Sequence, residues 1–131
     1  VRIRKEIIPN LEKLNPNIVD TLAQSASNLS DEFNLIDELF VKNENYQKLV
    51  NSKKLRIKTL KTLSNPLFYK VLKDWLIHQR GDLRGLNYKH YESVNRLINS
   101  RKSGKTVQLP RHQIVIKKNG KLLFQVVEVE K

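Results

Sequence analysis

The sequence predicts an α+β fold, mainly helical, in which long amphipathic helices are followed by a small C-terminal antiparallel β-hairpin or sheet. Three observations carry that expectation. Ile18, Leu22, Ala26, Leu29, Phe33, Ile36 and Phe40 recur at spacings of four, four, three, four, three and four, the period of one helix face. Asn15-Pro16 and Asn65-Pro66 each pair a capping residue with a proline whose φ is preset for a first helical turn. After Ser103-Gly104 the period shortens to that of strands, and Asn119-Gly120 is the residue pair of a type I′ turn, whose central positions both need φ > 0.

From the amino end, Ile3, Ile7, Ile8, Leu11 and Leu14 share one side of a short amphipathic helix, with Arg4, Lys5, Glu6, Glu12 and Lys13 elsewhere. Pro9 has no N–H to donate, so the helix either kinks there or a second segment starts at Pro9. A long helix then runs from about Pro16 to the early forties, and its narrow stripe suits packing on other helices. Ser30-Asp31 is a candidate break, because both side chains compete for backbone hydrogen bonds. Asn43, Asn45 and Asn51 mark a polar junction without pattern. Lys53 to Lys61 alternates apolar and basic residues and reads as a short strand or a helical turn. Leu67, Phe68, Val71, Leu72, Trp75 and Leu76 form the wide apolar face of a helix ending near His78, with Trp75 as its core anchor. Gly81 and Gly85 bracket a basic loop, and Asn87 caps a helix carrying Tyr88, Tyr91, Val94, Leu97 and Ile98. Strands follow at Val107 to Leu109, Gln113 to Lys117 and Leu122 to Val129.

The 131 residues hold 25 Lys+Arg against 13 Asp+Glu, a formal net charge of +12. That charge is lopsided: residues 1–52 hold six basic and eight acidic side chains, net −2, while residues 53–131 hold nineteen and five, net +14. The second half is therefore where a polyanion is expected to bind, nucleic-acid phosphates before an anionic membrane or an acidic protein, with a solvated basic surface kept only for solubility as the alternative. The absence of Cys excludes disulfides, thiol nucleophiles and thiolate metal sites together. No apolar run approaches the roughly 18 residues of a membrane-spanning helix, and the opening residues lack the pattern of a secretory signal. There is no Met, so Val1 is not an initiator and the chain is expected to be a processed product or a piece of something longer.

Ser103-Gly104-Lys105-Thr106 has the ending of a phosphate-binding P-loop, but Asn99 stands five residues before Gly104, where the motif needs glycine. The segment also follows a helix and enters a strand, the reverse of the required order, and reads as a basic turn. His78, His90 and His112 lie twelve and twenty-two residues apart, which matches no metal-ligand spacing. Asp31, Glu32, Asp37 and Glu38 read as the solvated face of the long helix. No nucleophile triad, paired-acid site or dinucleotide loop is present, so no catalytic residue is assigned. The candidate site residues are cations at element ends that reach phosphates without entering a packed core: Arg80, Arg84 and Lys89, then Arg101, Lys102 and Lys105, then Arg111 beside His112, then Lys117, Lys118 and Lys121. Tyr88 and Tyr91 offer faces for an unpaired base, with half-buried core positions as the alternative. The pattern favours backbone and shape recognition of folded RNA over sequence reading.

The run Ile3-Arg4-Lys5-Glu6-Ile7-Ile8-Pro9-Asn10-Leu11, closed by Leu14-Asn15-Pro16, resembles a signature of the tRNA(Ile)-lysidine synthetases, where it leaves the catalytic domain and enters a helical one. Ser103-Gly104-Lys105-Thr106-Val107-Gln108-Leu109-Pro110, entering a terminal hairpin, is also similar to that family, most of all to its cyanobacterial and plastid members. The resemblance implies a ligase that holds ATP and Mg in a catalytic domain with a Ser-Gly-Gly-x-Asp-Ser loop. Such an enzyme adenylates the wobble cytidine of an isoleucine tRNA with a CAU anticodon, and free lysine displaces AMP, so that the tRNA reads AUA in place of AUG. This sequence contains no such loop, so the segment alone is expected to be inactive and to bind no cofactor itself. The family's Arg-Asn pair before Ile3 is replaced by Val1 and Arg2, and Arg4 is the one signature residue carried over, as a support at the domain boundary. The implied division is 1–14 as the end of the catalytic domain or a linker helix, 15–102 as a helical tRNA-binding domain, and 103–131 as a small β-hairpin element. The implied partner is that tRNA and not a membrane, in the plastid stroma or, alternatively, the bacterial cytoplasm. Rival readings are a stand-alone structural RNA-binding module of ribosome-associated type without enzymatic activity, and an adaptor for acidic proteins or membrane surfaces.

Overall fold

A computed structural model describes residues 2–128 of the chain. Its elements run from a π-helical segment Ile3–Ile7 through α1 (Ile8–Leu14), α2 (Ile18–Val41), α3 (Glu44–Val50), β1 (Lys54–Arg56), α4 (Ile57–Lys61), α5 (Asn65–Arg80) and α6 (Tyr88–Asn99) to β2 (Thr106–Leu109), β3 (Gln113–Lys118) and β4 (Lys121–Val126). The fold is the expected α+β, helices first and an antiparallel sheet last. It divides into two compact units, one ending at Asn43 and the other beginning at Glu44.

In the first unit Pro9 stands in the first turn of α1, directly after the π-helical segment, and the backbone stays helical through Ile7 and Ile8, with the Ile8 N–H reaching back to the Ile3 carbonyl. The long helix begins at Ile18, two residues beyond Pro16, because Asn15 folds into a turn of its own. Its Oδ1 accepts the Asn17 N–H at 3.1 Å and its carbonyl accepts the Ile18 N–H at 3.0 Å. The helix passes unbroken through Ser30 and Asp31, whose side chains are exposed and leave the backbone ladder intact. α1 packs on α2, yet no described residue of this unit is buried, and Leu29 and Phe33 on the periodic stripe are 53% and 64% exposed.

The second unit holds the core. The polar junction without pattern contains α3, formed because Tyr46 and Val50, one turn apart, are buried against α5. The Tyr46 hydroxyl donates to Asp74 Oδ2, which also pairs with Lys70 at 3.2 Å. The segment from Lys53 to Lys61 is both alternatives in succession, β1 and then α4. Asn65 is inside α5, with Ser64 at the capping position and Pro66 in the first turn, and the helix ends at Gly81 with φ +91°. Trp75 is fully buried on α5 and donates its indole N–H to the Ser52 carbonyl at 2.9 Å, an oxygen that Gln79 also reaches. Asn87 caps α6 as expected: its Oδ1 accepts the Lys89 N–H at 3.0 Å, while its own N–H donates to His90 Nδ1 at 3.0 Å.

The sheet has four strands in the order β1-β4-β3-β2, all antiparallel. Asn119 and Gly120 take φ of +54° and +71° in the expected β3–β4 turn. β4 stops at Val126; the expected continuation reaches Val129, which lies outside the described residues. One face of the sheet, with Leu55, Leu109, Val115 and Leu122 buried, closes the core over Val71, Leu72, Trp75 and Leu76 of α5 and Val94, Leu97 and Ile98 of α6.

Candidate nucleic-acid interface

The cations predicted from the sequence sort into three settings. The loop between α5 and α6 ties its own charges together. Arg80 donates Nε to Gln113 Oε1, Nη1 to the Asp82 carbonyl at 3.1 Å and Nη2 to the Arg84 carbonyl at 2.9 Å. Burial, followed by the nearby Arg111 charge, pushes Arg80 below the ordinary arginine value. Arg111 forks onto Asp82, with Nη2 to Oδ1 at 2.6 Å and Nη1 to Oδ2 at 3.4 Å, and Asp82 Oδ1 also accepts the Arg84 N–H at 3.0 Å. That hydrogen bond from Arg111 holds the Asp82 carboxyl below the usual range. Arg80 and Arg111 therefore brace the loop against β3, where Gly85, at φ +79°, lies so near Pro110 that a Cβ would meet its ring at 3.1 Å.

A second group follows α6. Arg101, Lys102 and Lys105 are exposed, and Lys105 lies with Arg96, Ser93, Ser100 and Thr106 around a notch of roughly 280 Å³. Lys117, by contrast, is half-buried and donates its ammonium to the Ser100 carbonyl, which joins β3 to the end of α6. The turn at Ser103–Thr106 is no nucleotide cradle: the Gly104 N–H donates to the Lys117 carbonyl at 2.7 Å and the Lys105 carbonyl accepts the Lys117 N–H at 3.0 Å. Its backbone continues the sheet ladder.

The third group lies on the sheet face turned away from the core. Side chains alternate along each strand, so the register fixes their neighbours across it. Arg56, Lys121 and Lys118 stand side by side on β1, β4 and β3. The next row on the same face is Lys54, Leu123, Ile116 and Thr106, and beyond it come Gln125, Ile114 and Gln108. Part of this face forms a concavity of roughly 710 Å³, with Ile116 and Leu123 as its floor and Lys54, Lys118, Lys121, Gly104 and Gln125 around them. Lys118 and Lys121 belong to the predicted set. Lys54 and Arg56 do not, although the alternation Lys54-Leu55-Arg56, an apolar residue between two cations, was the signal that would have found them.

Tyr91 is half-buried, and burial pushes its phenol up. Tyr88 is 65% exposed, its ring 6.3 Å from that of Tyr69 on α5, and Tyr69 and Glu92 push its phenol up. One of the two predicted aromatic faces is thus open to a base. Lys89 is exposed beside it, and Arg4 is exposed on the π-helical segment. No group of three His, Asp or Glu side chains that would hold a metal ion occurs among the described residues.

Residues 55–123 match the family model described as the TilS substrate binding domain. The chain belongs to that family. The TilS match runs from β1 into β4 and so lies within the second unit, where the charge surplus lies, rather than on the Ile3–Pro16 stretch on which the resemblance was most specific. Similar proteins include the tRNA(Ile)-lysidine synthase of Francisella philomiragia, 30% identical over 98 residues, covering 75% of this chain and 24% of that protein. The tRNA(Ile)-lysidine synthase of Geobacter sulfurreducens is 25% identical over 126 residues, covering 94% and 27%. The bifunctional protein TilS/HprT of Listeria innocua is 25% identical over 130 residues, covering 97% and 20%. The chain thus spans about a quarter of the length of these TilS relatives.

Proposed function

We propose that this chain is the tRNA-gripping part of a tRNA(Ile)-lysidine synthase. The match to a substrate binding domain over residues 55–123, the stretch that carries most of the positive charge, is the observation that supports this most directly. In this reading the domain holds an isoleucine tRNA with a CAU anticodon through its phosphates, while ATP, Mg and free lysine are handled by a catalytic domain of the whole enzyme. In this reading the segment depends on that catalytic domain for ligation, since its own sequence contains no Ser-Gly-Gly-x-Asp-Ser loop. Its named relatives are bacterial proteins, which favours a bacterial cytoplasmic location for the proposed enzyme and lends a plastid location no support. No described helix is long and apolar enough to cross a membrane.

The test is the affinity of the chain for a labelled transcript of that tRNA, measured across a salt series. Each phosphate contact releases counterions, so log K is expected to fall by about 0.7–0.9 per contact per decade of salt. Replacing Arg101, Lys102 and Lys105 by Ala should weaken binding while leaving the fold intact, since exposed substitutions usually cost within about 0.5 kcal/mol. A flat salt response, or binding that an excess of unlabelled tRNA does not compete, would overturn the proposal.

A further inference from the structure

Resting on the tRNA-gripping role above, we infer that the open face of the sheet is a seat for the sugar–phosphate backbone of helical RNA, with Lys54, Arg56, Lys118 and Lys121 as its phosphate contacts. Three features of that face point to this ligand. Arg56, Lys121 and Lys118 are registered neighbours on three adjacent strands, which sets a row of like charges across about 10 Å. Like charges directly opposite one another destabilise a sheet, and none of the described positions on this face is acidic, so the row lacks a counterion from its own surface. A polyanion laid along it relieves the repulsion.

The second feature is the absence of a stacking platform. Phe124, the one aromatic residue of the described strands, pairs with Val115 on the core side of the sheet. The floor between the cations is aliphatic, Ile116 and Leu123. Unpaired bases are usually held by aromatic or guanidinium planes, and here a single exposed guanidinium at the rim is the only such plane. The third feature is shape. A-form RNA hides its bases in a deep major groove and presents a wide, shallow minor groove lined with 2′-hydroxyls. A broad sheet face with Thr106, Gln108 and Gln125 beyond the cations can meet those hydroxyls through its amides and hydroxyl while the lysines reach the flanking phosphates.

The experiment uses the full 131-residue chain and the labelled tRNA transcript, with a short RNA duplex and poly(U) as competitors. For K54A/K118A/K121A we expect at least tenfold weaker binding, a salt slope smaller by about two to three, and unchanged far-UV circular dichroism; the single variant K118A should lower the slope by about one and serves if the triple variant does not fold. The duplex should compete with the tRNA and poly(U) should not. Steep salt-dependent binding that neither variant alters, or poly(U) competing as well as the duplex, overturns the sheet face as the seat and leaves the tRNA-gripping role standing. If the unaltered chain shows no salt-dependent tRNA binding, that role fails and the inference with it.

Discussion

Arg80 and Lys121 carry the same charge and both flank a turn, yet one braces the molecule and the other faces solvent. The difference is made by Gln113 and Asp82, which reach Arg80 and Arg111 only once β3 is seated beside the α5–α6 loop. Asp82 turns that bracing into a pH dependence. Its carboxyl is held below the ordinary value by the hydrogen bond from Arg111 and then by the Arg84 N–H. A depressed carboxyl contributes stability above its unfolded value, near 4, and loses it as the pH falls through the folded one. Thermal melts between about pH 2 and 7 should therefore show an acid limb that Asp82→Asn flattens, with a small loss at neutral pH because the pair is open to solvent. An identical limb in the variant would mean that the pair adds nothing. That cations crowd the second half was legible from the sequence; which of them are engaged internally was not, because their partners are far away along the chain.

At the scale of elements, legibility followed the range of the forces involved. The capping residue Asn87 and the turn pair Asn119-Gly120 act on their immediate neighbours, and both stand where the sequence places them. Asn87→Ala removes one arm of the reciprocal cap on α6, and should cost about 1 kcal/mol in urea unfolding with an unchanged m-value. An unchanged midpoint would show that α6 is held by its apolar face alone. α3 was missed because its asparagine-rich surroundings have no helical pattern; it exists through Tyr46 and Val50 packing on α5. β1 is three residues long, too short to declare itself, and is a strand because β4 pairs with it through Leu55 and Leu122. Asn15 shows the opposite limit: a correct capping residue can cap a turn instead, and push the helix start two residues on.

On the scale of the whole molecule, every buried apolar residue among those described lies at Tyr46 or beyond, so the core belongs to the second unit. A chain starting at Glu44 should therefore melt cooperatively, with the near-ultraviolet signal of Trp75 intact; loss of that signal would mean that the second unit depends on the first. The long helix illustrates why periodicity is an incomplete guide. Its stripe is regular, as the sequence predicts, but Leu29 and Phe33 remain exposed, since spacing shows which face is apolar and not what covers it. By itself the sequence determined the long helices, the terminal hairpin and the concentration of positive charge after residue 52, because periodicity, caps, turns and composition are local properties. Only the tertiary structure decided that Lys54 and Arg56 join Lys118 and Lys121 on one open face while Lys117 and Arg80 turn inward. Strand pairing across more than sixty residues sets that choice, and a one-residue change of register would have sent each of those side chains to the opposite side.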